Sequence, residues 1–306
     1  AVVERLDIKR SLFERIQPHL KWGAIVSSNT SGLSIASMVE GFDASFKRNF
    51  LVTHFFNPVR FMKLLEIVKG EDTDPEVVDT WVTLGTDVLG KGVVMGKDTP
   101  NFVANRIGIY SMMKTIQMML ARDYTIEEID AIFGPAMGRP KTAAFKTADL
   151  VGLDTFAHVA KNCYDALPDD DERDTFVLPE FMGKMIANGW LGLKTKVGFY
   201  KKEDGKPFAL DHKTMTFQPA TRPLFDSVKS TKGVTDVGER LRNLFNGEDR
   251  ATTIAWEATA ATLIYAAKRI GEIADDVVNI DNAMKWGFNW SMGPFETWDA
   301  IGVAAS

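Results

Sequence analysis

Only one cysteine, Cys163, and four histidines occur among the 306 residues. A lone cysteine excludes an internal disulfide framework and a cysteine-rich metal site, and it fits a reducing compartment. The histidines lie too far apart in sequence to offer metal-ligand spacing, so no metal is expected. Positive charge is also scarce. Thirty-six Lys and Arg stand against 41 Asp and Glu, a net charge of -5 with no long basic run, which excludes the electrostatic footprint of a nucleic-acid binder. No apolar run nears the roughly 20 residues of a membrane span. The opening AVVERLDIKR has neither the apolar stretch nor the cleavage site of a signal peptide. A soluble cytoplasmic chain is therefore expected. Missing too is any GxGxxG after a strand, the glycine-rich turn that cradles pyrophosphate in a dinucleotide fold.

What is present is apolar residue in quantity, 45% of the chain, enough for two domains. The first residues already read as the middle of an amphipathic helix, with apolar Val2, Val3, Leu6, Leu12, Phe13 and Ile16 and no capping residue ahead, so the chain is expected to begin mid-domain. Up to about residue 98, helix and strand patterns alternate. The strand-like runs are AIVSSNTS, FLVTHFFN, FMKLLEIVKG and KGVVMGKD, and the last follows a helix that Asp74 and Pro75 announce. That rhythm is an α/β sheet with crossover helices. From Pro100 the period changes to helix, beginning with NFVANRIGIYSMMKTIQMMLARD. IDAIFGPAMGRPKTAAFKTADLVGLD from Ile129 also aligns with IDNAMKWGFNWSMGPFETWDAIGV from Ile280, which reads as an internal duplication. The expected layout is α/β then all-α: residues 1–98, a helical domain 99–203, a polar connector 204–235, and a second helical copy 236–306.

The stretch THFFNPVRFMKLLEIVKG carries the strongest chemical signal. Pro58 breaks the first strand, and a turn near residue 60 would bring the next strand back so that His54 and Glu66 face each other. A glutamate flanked by Leu64, Leu65, Ile67 and Val68 is costly to bury without a partner. A carboxylate on one imidazole nitrogen fixes the tautomer and leaves the other free to take a proton from a hydroxyl. The competing reading is a core histidine satisfied by backbone groups. SSNTS, Ser27 to Ser31, closes a strand and opens a helix, where its oxygens either cap amides or meet a ligand. Asn105 lies on the first turns of the long helix among apolar neighbours and needs backbone or ligand partners. PDDDERD reads as a solvated acidic loop.

Together SSNTSGLSI, HFFNPVRFMKLLEIVKG, KDTPNFVANRI, DLVGLDT and GLKTKVGFYK, in this order and spacing, resemble the L-3-hydroxyacyl-CoA dehydrogenase family of fatty-acid β-oxidation. The likeness runs through about residues 1–203. GRPKTAAFKTADLVGLDT is nearer to the long multifunctional members, in which an enoyl-CoA hydratase module is joined to the dehydrogenase. The resemblance implies NAD as cofactor, an acyl-CoA substrate, a homodimer, and a hydratase module covalently linked in the parent chain. It implies His54 as catalytic base, Glu66 as its orienting acid, and Ser31 and Asn105 at the substrate hydroxyl and thioester. Asn29 would lie against the nicotinamide, and Glu4 and Lys9 would touch the cofactor's ribose and nicotinamide side. The family's glycine-rich loop belongs to the first strands of its nucleotide domain. Residues 1–98 are therefore expected to be the C-terminal remnant of a Rossmann-like NAD-binding domain, followed by a duplicated helical C-terminal domain, with weak NAD binding and little turnover. Two other readings are a non-catalytic dimerisation scaffold and a different β-hydroxyacid dehydrogenase.

Overall fold

The computed structural model describes residues 2–303. The chain forms two compact units, neither continuous in sequence: the residues up to Arg106 with Ala266–Phe288, and Ile107–Tyr265 with the residues from Asn289 onward.

The first unit is built on a four-stranded sheet, β1 (Val26–Ser28), β2 (Phe50–Phe55), β3 (Leu64–Lys69) and β4 (Gly92–Gly96), ordered as numbered. β1 and β2 are parallel, β2 and β3 antiparallel, β3 and β4 parallel. Both central strands are buried along almost their whole length, which is why they read as unbroken apolar runs. Alternation along β2 sends Phe50 and Val52 to a core shared with Phe13, Met38 and Phe46, and Leu51 to a second core with Leu65, Ile67, Val77 and Val78. By the same alternation His54 falls on the face of Phe50 and Val52, and Glu66 on the face of Val68. The helices of this unit are α1 (Leu6–Ile16), α2 (Ile35–Val39), α3 (Ala44–Arg48) and α4 (Pro75–Thr83). The Asp74 carboxylate caps α4 and Pro75 opens it, as those two residues predict.

Helix α5 (Ala104–Ala121) begins in the first unit and continues into the second. There follow α6 (Ile126–Ile132), α7 (Phe145–Val151), α8 (Leu153–Ala166), α9 (Glu180–Ala187), α10 (Asp226–Lys229), α11 (Val237–Phe245) and α12 (Arg250–Lys268), then α13 (Val277–Gly287) and α14 (Pro294–Ile301). Thr125 and Glu128 form a capping box at α6. Tyr110 on α5 and Tyr265 on α12 stack face to face with centroids 3.7 Å apart.

Two expectations need correction. The region after residue 100 is not all-α. β5 (Tyr200–Glu203), β6 (Lys206–Asp211) and β7 (Thr216–Pro219) form an antiparallel sheet, and β6 and β7 occupy the segment expected as connector. The turn between β5 and β6 is Asp204-Gly205, both at positive φ, the strongest short hairpin signal a sequence carries. Nor is the helical part duplicated. The stretch from Ile129 lies in α6, which packs on α7 and β6 in the second unit. Its apparent copy from Ile280 begins in α13, which belongs to the first unit and packs on β3 and β4, and runs on into α14, which belongs to the second. Trp286 lies flat against Gly92, where any Cβ would overlap its ring. Two amphipathic helices with similar loops thus serve different cores. Among the described residues no helix is long and apolar enough to cross a membrane.

Candidate active site

The β2–β3 hairpin sets His54 directly opposite Glu66 in the strand register. The His54 Nδ1 to Glu66 Oε2 distance is 2.6 Å, with the carboxylate fully buried. Its other oxygen, Oε1, accepts from the backbone N–H of Val103 at 3.1 Å and Ala104 at 2.8 Å, where the chain enters α5. The carboxylate thus accepts three hydrogen bonds and meets the positive end of a helix, conditions that make its burial tolerable. The carboxylate accepts the Nδ1 proton and leaves Nε2 as the lone-pair nitrogen. Nε2 lies 3.0 Å from Ser31 Oγ. The imidazole is held laterally by Phe56 and Phe102, with ring centroids 4.8 Å and 5.6 Å away.

Ser31 follows β1 in a loop that is tied down at several points. Asn29 Oδ1 accepts from Phe55 N–H at 2.8 Å, locking the ends of β1 and β2 together beside His54. Thr30, wholly buried, donates its hydroxyl to Glu4 Oε1, and Ser31 N–H donates to the same oxygen at 2.9 Å. Glu4 Oε2 lies 3.0 Å from Lys9 Nζ, which also reaches Ser28 Oγ at 3.2 Å. Burial would raise the Glu4 pKa, but the hydrogen bonds from Thr30 and Lys9, the Lys9 charge and the Ser31 amide together hold it below the ordinary glutamate value. From the far side Asp98, just past β4, accepts from Ser34 Oγ and from the amides of Ile35 and Ala36, closing the loop onto the start of α2.

Of the residues singled out in the sequence, His54, Glu66 and Ser31 form one hydrogen-bonded line, and Glu4, Lys9 and Asn29 join the loop that carries Ser31. Asn105 stands apart: it is half-buried beside Ala104, and among the described residues it makes no hydrogen bond to His54, Glu66 or Ser31. Sequence reasoning missed Thr30 and Asp98. Thr30 was visible inside SSNTS as the residue between two candidates; Asp98 was visible only as an acid ahead of a helix, with nothing to say which loop it would hold. Among the described residues no cluster of three or more His, Cys, Asp or Glu could hold a metal ion.

An α/β sheet that delivers a carboxylate-oriented imidazole and a hydroxyl to the end of its strands defines a machine for moving a proton on or off an oxygen atom. Residues 1–99 match the family model described as 3-hydroxyacyl-CoA dehydrogenase, NAD binding domain, and residues 102–202 match 3-hydroxyacyl-CoA dehydrogenase, C-terminal domain. The chain belongs to the 3-hydroxyacyl-CoA dehydrogenase family. The "Probable 3-hydroxyacyl-CoA dehydrogenase" of Bacillus subtilis is 50% identical to it across 100% of this chain and 38% of the relative. The chain thus spans under two-fifths of that relative's length. The crystal structure of 3-hydroxybutyryl-CoA dehydrogenase from Escherichia coli covers 98% of this chain and 73% of its own with a TM-score of 0.75; at 21% identity this speaks to the fold alone. (S)-3-hydroxybutyryl-CoA dehydrogenase PaaH1 from Ralstonia eutropha is 29% identical over 67% of this chain and 69% of its own, with a TM-score of 0.59.

These matches bear out the expected family and NAD as the cofactor. They overturn the expected remnant and duplication: residues 1–99 match the family's NAD-binding domain, and 102–202 a single C-terminal domain. The expectation of weak NAD binding and little turnover loses its ground with the remnant.

Proposed function

We propose that this chain catalyses the NAD-dependent oxidation of an L-3-hydroxyacyl-CoA to the 3-ketoacyl-CoA, and the reverse reduction, in fatty-acid oxidation. The observation that carries this is the line Glu66, His54, Ser31: a buried carboxylate on Nδ1 and an Nε2 that meets a hydroxyl at 3.0 Å. NAD, when bound, supplies the hydride acceptor for the hydrogen on C3. His54 Nε2 takes the proton of the 3-hydroxyl, and Glu66 keeps the imidazole in the required tautomer and stabilises the imidazolium that forms. Ser31 Oγ donates to the substrate oxygen and holds it within reach of Nε2. Asn105, on the first turn of the helix whose amides hold Glu66, is assigned to the thioester side.

The residues fit the nicotinamide half of NAD. In parallel α/β sheets ligands gather at the carboxyl ends of the strands, and there Asn29 is exposed with an amide nitrogen that has no partner among the described residues. Glu4, ahead of α1, and Lys9, on α1, are bonded to that loop and its strand and offer an acceptor and a donor to the cofactor's ribose and nicotinamide side. A homodimer, a covalently joined enoyl-CoA hydratase module and a cytoplasmic location belong to the same proposal, supported by the resemblance of the motifs to the long family members. The test is oxidation of NADH by acetoacetyl-CoA, with NADH binding followed separately. His54→Gln should lower kcat/KM by about 10²- to 10⁴-fold and leave NADH binding unchanged. A variant with near wild-type turnover would overturn the assignment.

A further inference from the structure

We propose that a small cavity around Arg139 in the second unit binds one monovalent anion of halide size. Arg139 follows Gly138, whose φ of 65° lets the chain turn tightly and whose Cβ, if present, would meet Val237 and Ser291. Ser291 N–H donates to the Gly138 carbonyl at 2.8 Å, fixing the neighbouring Trp290. The guanidinium of Arg139 then lies over two rings, 4.2 Å from the Trp290 centroid and 5.4 Å from that of Phe133. Aromatic faces attract the cation but accept none of its five N–H donors in a strong hydrogen bond. Among the described residues the Arg139 guanidinium has no hydrogen bond or ion pair, the residue's backbone N–H alone being bonded, to Gly134 O at 3.1 Å. Burial pushes its pKa down to about 10, and no carboxylate bears on it. Arg139 is half-buried, so its charge is only partly solvated and gains from a group of opposite sign placed against it.

The cavity beside it measures about 20 Å³ and is lined by Met137, Leu241 and Leu263 together with Arg139, Thr259 and Trp290. A second polar atom there is also unanswered. Thr259 is 5% exposed, and its Oγ1 has no hydrogen-bond partner, whereas the nearby Thr262 hydroxyl is already bonded to Ala258 O and Ser111 Oγ. The space thus presents donors from Arg139 and Thr259 against apolar walls. The cavity has room for a body of about the size of a water molecule and excludes a nucleotide or an acyl chain. Water would satisfy the donors without offsetting the charge; a halide does both.

The experiment is thermal unfolding at constant ionic strength in sodium chloride, bromide or gluconate, with ³⁵Cl NMR line width as a direct readout. Chloride and bromide should raise Tm saturably in the wild type and gluconate, too large for the space, should not. Arg139→Met should abolish both the halide response and the ³⁵Cl broadening. Thr259→Val should weaken the apparent halide affinity about tenfold, as for one lost hydrogen bond to a charged group. Equal responses to chloride and gluconate in the wild type mean the cavity holds water only and overturn the proposal, as does a halide response retained by Arg139→Met. Should that variant fail to fold, an undiminished response in Thr259→Val overturns it instead.

Discussion

The two units satisfy their buried carboxylates differently. In the first, Glu66 joins the imidazole of His54, Lys9 pairs with Glu4, and the wholly buried Arg106 pairs with Glu272 at 2.9 Å. In the second, Asp149 is buried and holds the backbone amides of Phe199 and Tyr200, at 2.8 Å and 3.0 Å, and Asp130 holds those of Ala144 and Phe145 with the Lys146 ammonium 3.6 Å from its other oxygen. Burial outweighs those bonds in both: it raises the Asp130 pKa and, with the charge of Asp130 adding to it, lifts Asp149 to about 6. The lesson is one of purpose. A carboxylate set against an imidazole fixes the tautomer and aim of that ring, which suits proton transfer; a carboxylate held by amides alone is a knot between loops, as where Asp149 fastens β5 to α7.

The largest expected effect breaks this comparison on its functional side. Glu66→Gln keeps the shape but removes the charge that selects the His54 tautomer, and turnover should fall by roughly 10²- to 10⁴-fold. Asp149→Asn, an identical change of chemistry in the other unit, should leave turnover within about twofold; steady-state assays of both variants decide whether the contrast holds. Next comes the structural side. A Cβ at Gly198 would overlap the Asp149 carboxyl, so Gly198→Ala should cost about 3 kcal/mol of unfolding free energy in urea titrations.

The pH dependence sharpens the same contrast. Asp149 has a folded pKa of about 6, above the ordinary 3.8, so the folded state binds more protons than the unfolded state between those values. Its contribution to stability is therefore full at low pH and is lost as pH rises from about 4 to about 6, by about 3 kcal/mol at most. Glu4 has the opposite sign: its pKa is lowered from 4.5, so its contribution is present above that value and is lost as pH falls below it. Urea unfolding from pH 4 to 7 should show the Asp149 slope, and Asp149→Asn should flatten it. The smallest effect concerns the loop that holds Ser31. Asp98→Ala removes the acceptor for Ser34, Ile35 and Ala36 and should cost about 1 kcal/mol. Its signature is a lowered kcat with NADH affinity kept; no change in kcat would show that Ser31 needs no such anchor.

Much of the candidate site was legible because it is local in sequence. The His54–Glu66 juxtaposition follows from a broken strand, the parity of twelve residues and the cost of burying an acid, and Ser31 and Asn29 sat in an evident strand-to-helix switch. What escaped was long range. Nothing in the periodicity of α13 says that it covers β3 and β4 rather than the helices beside it in sequence; only the fit of Trp286 on Gly92 decides that, and it spans nearly two hundred residues. The sheet of β5 to β7 escaped because its strands are short and polar, leaving Asp204-Gly205 as the sole cue. Similarity between the α6 and α13 stretches misled because helices of like amphipathic pattern look alike whatever core they serve.

The return of α13 also has a temporal side. Met95 N–H finds its acceptor on Asn279, 184 residues later, and Lys97 N–H finds its own on Ile273. During synthesis at about 5–20 residues per second, the sheet that carries His54 waits some ten seconds or more between the emergence of β4 and that of the helix that covers it. The unit that carries His54 thus stays open until α13 has emerged, and in that interval its uncovered strands are apolar surface that a chaperone would shield.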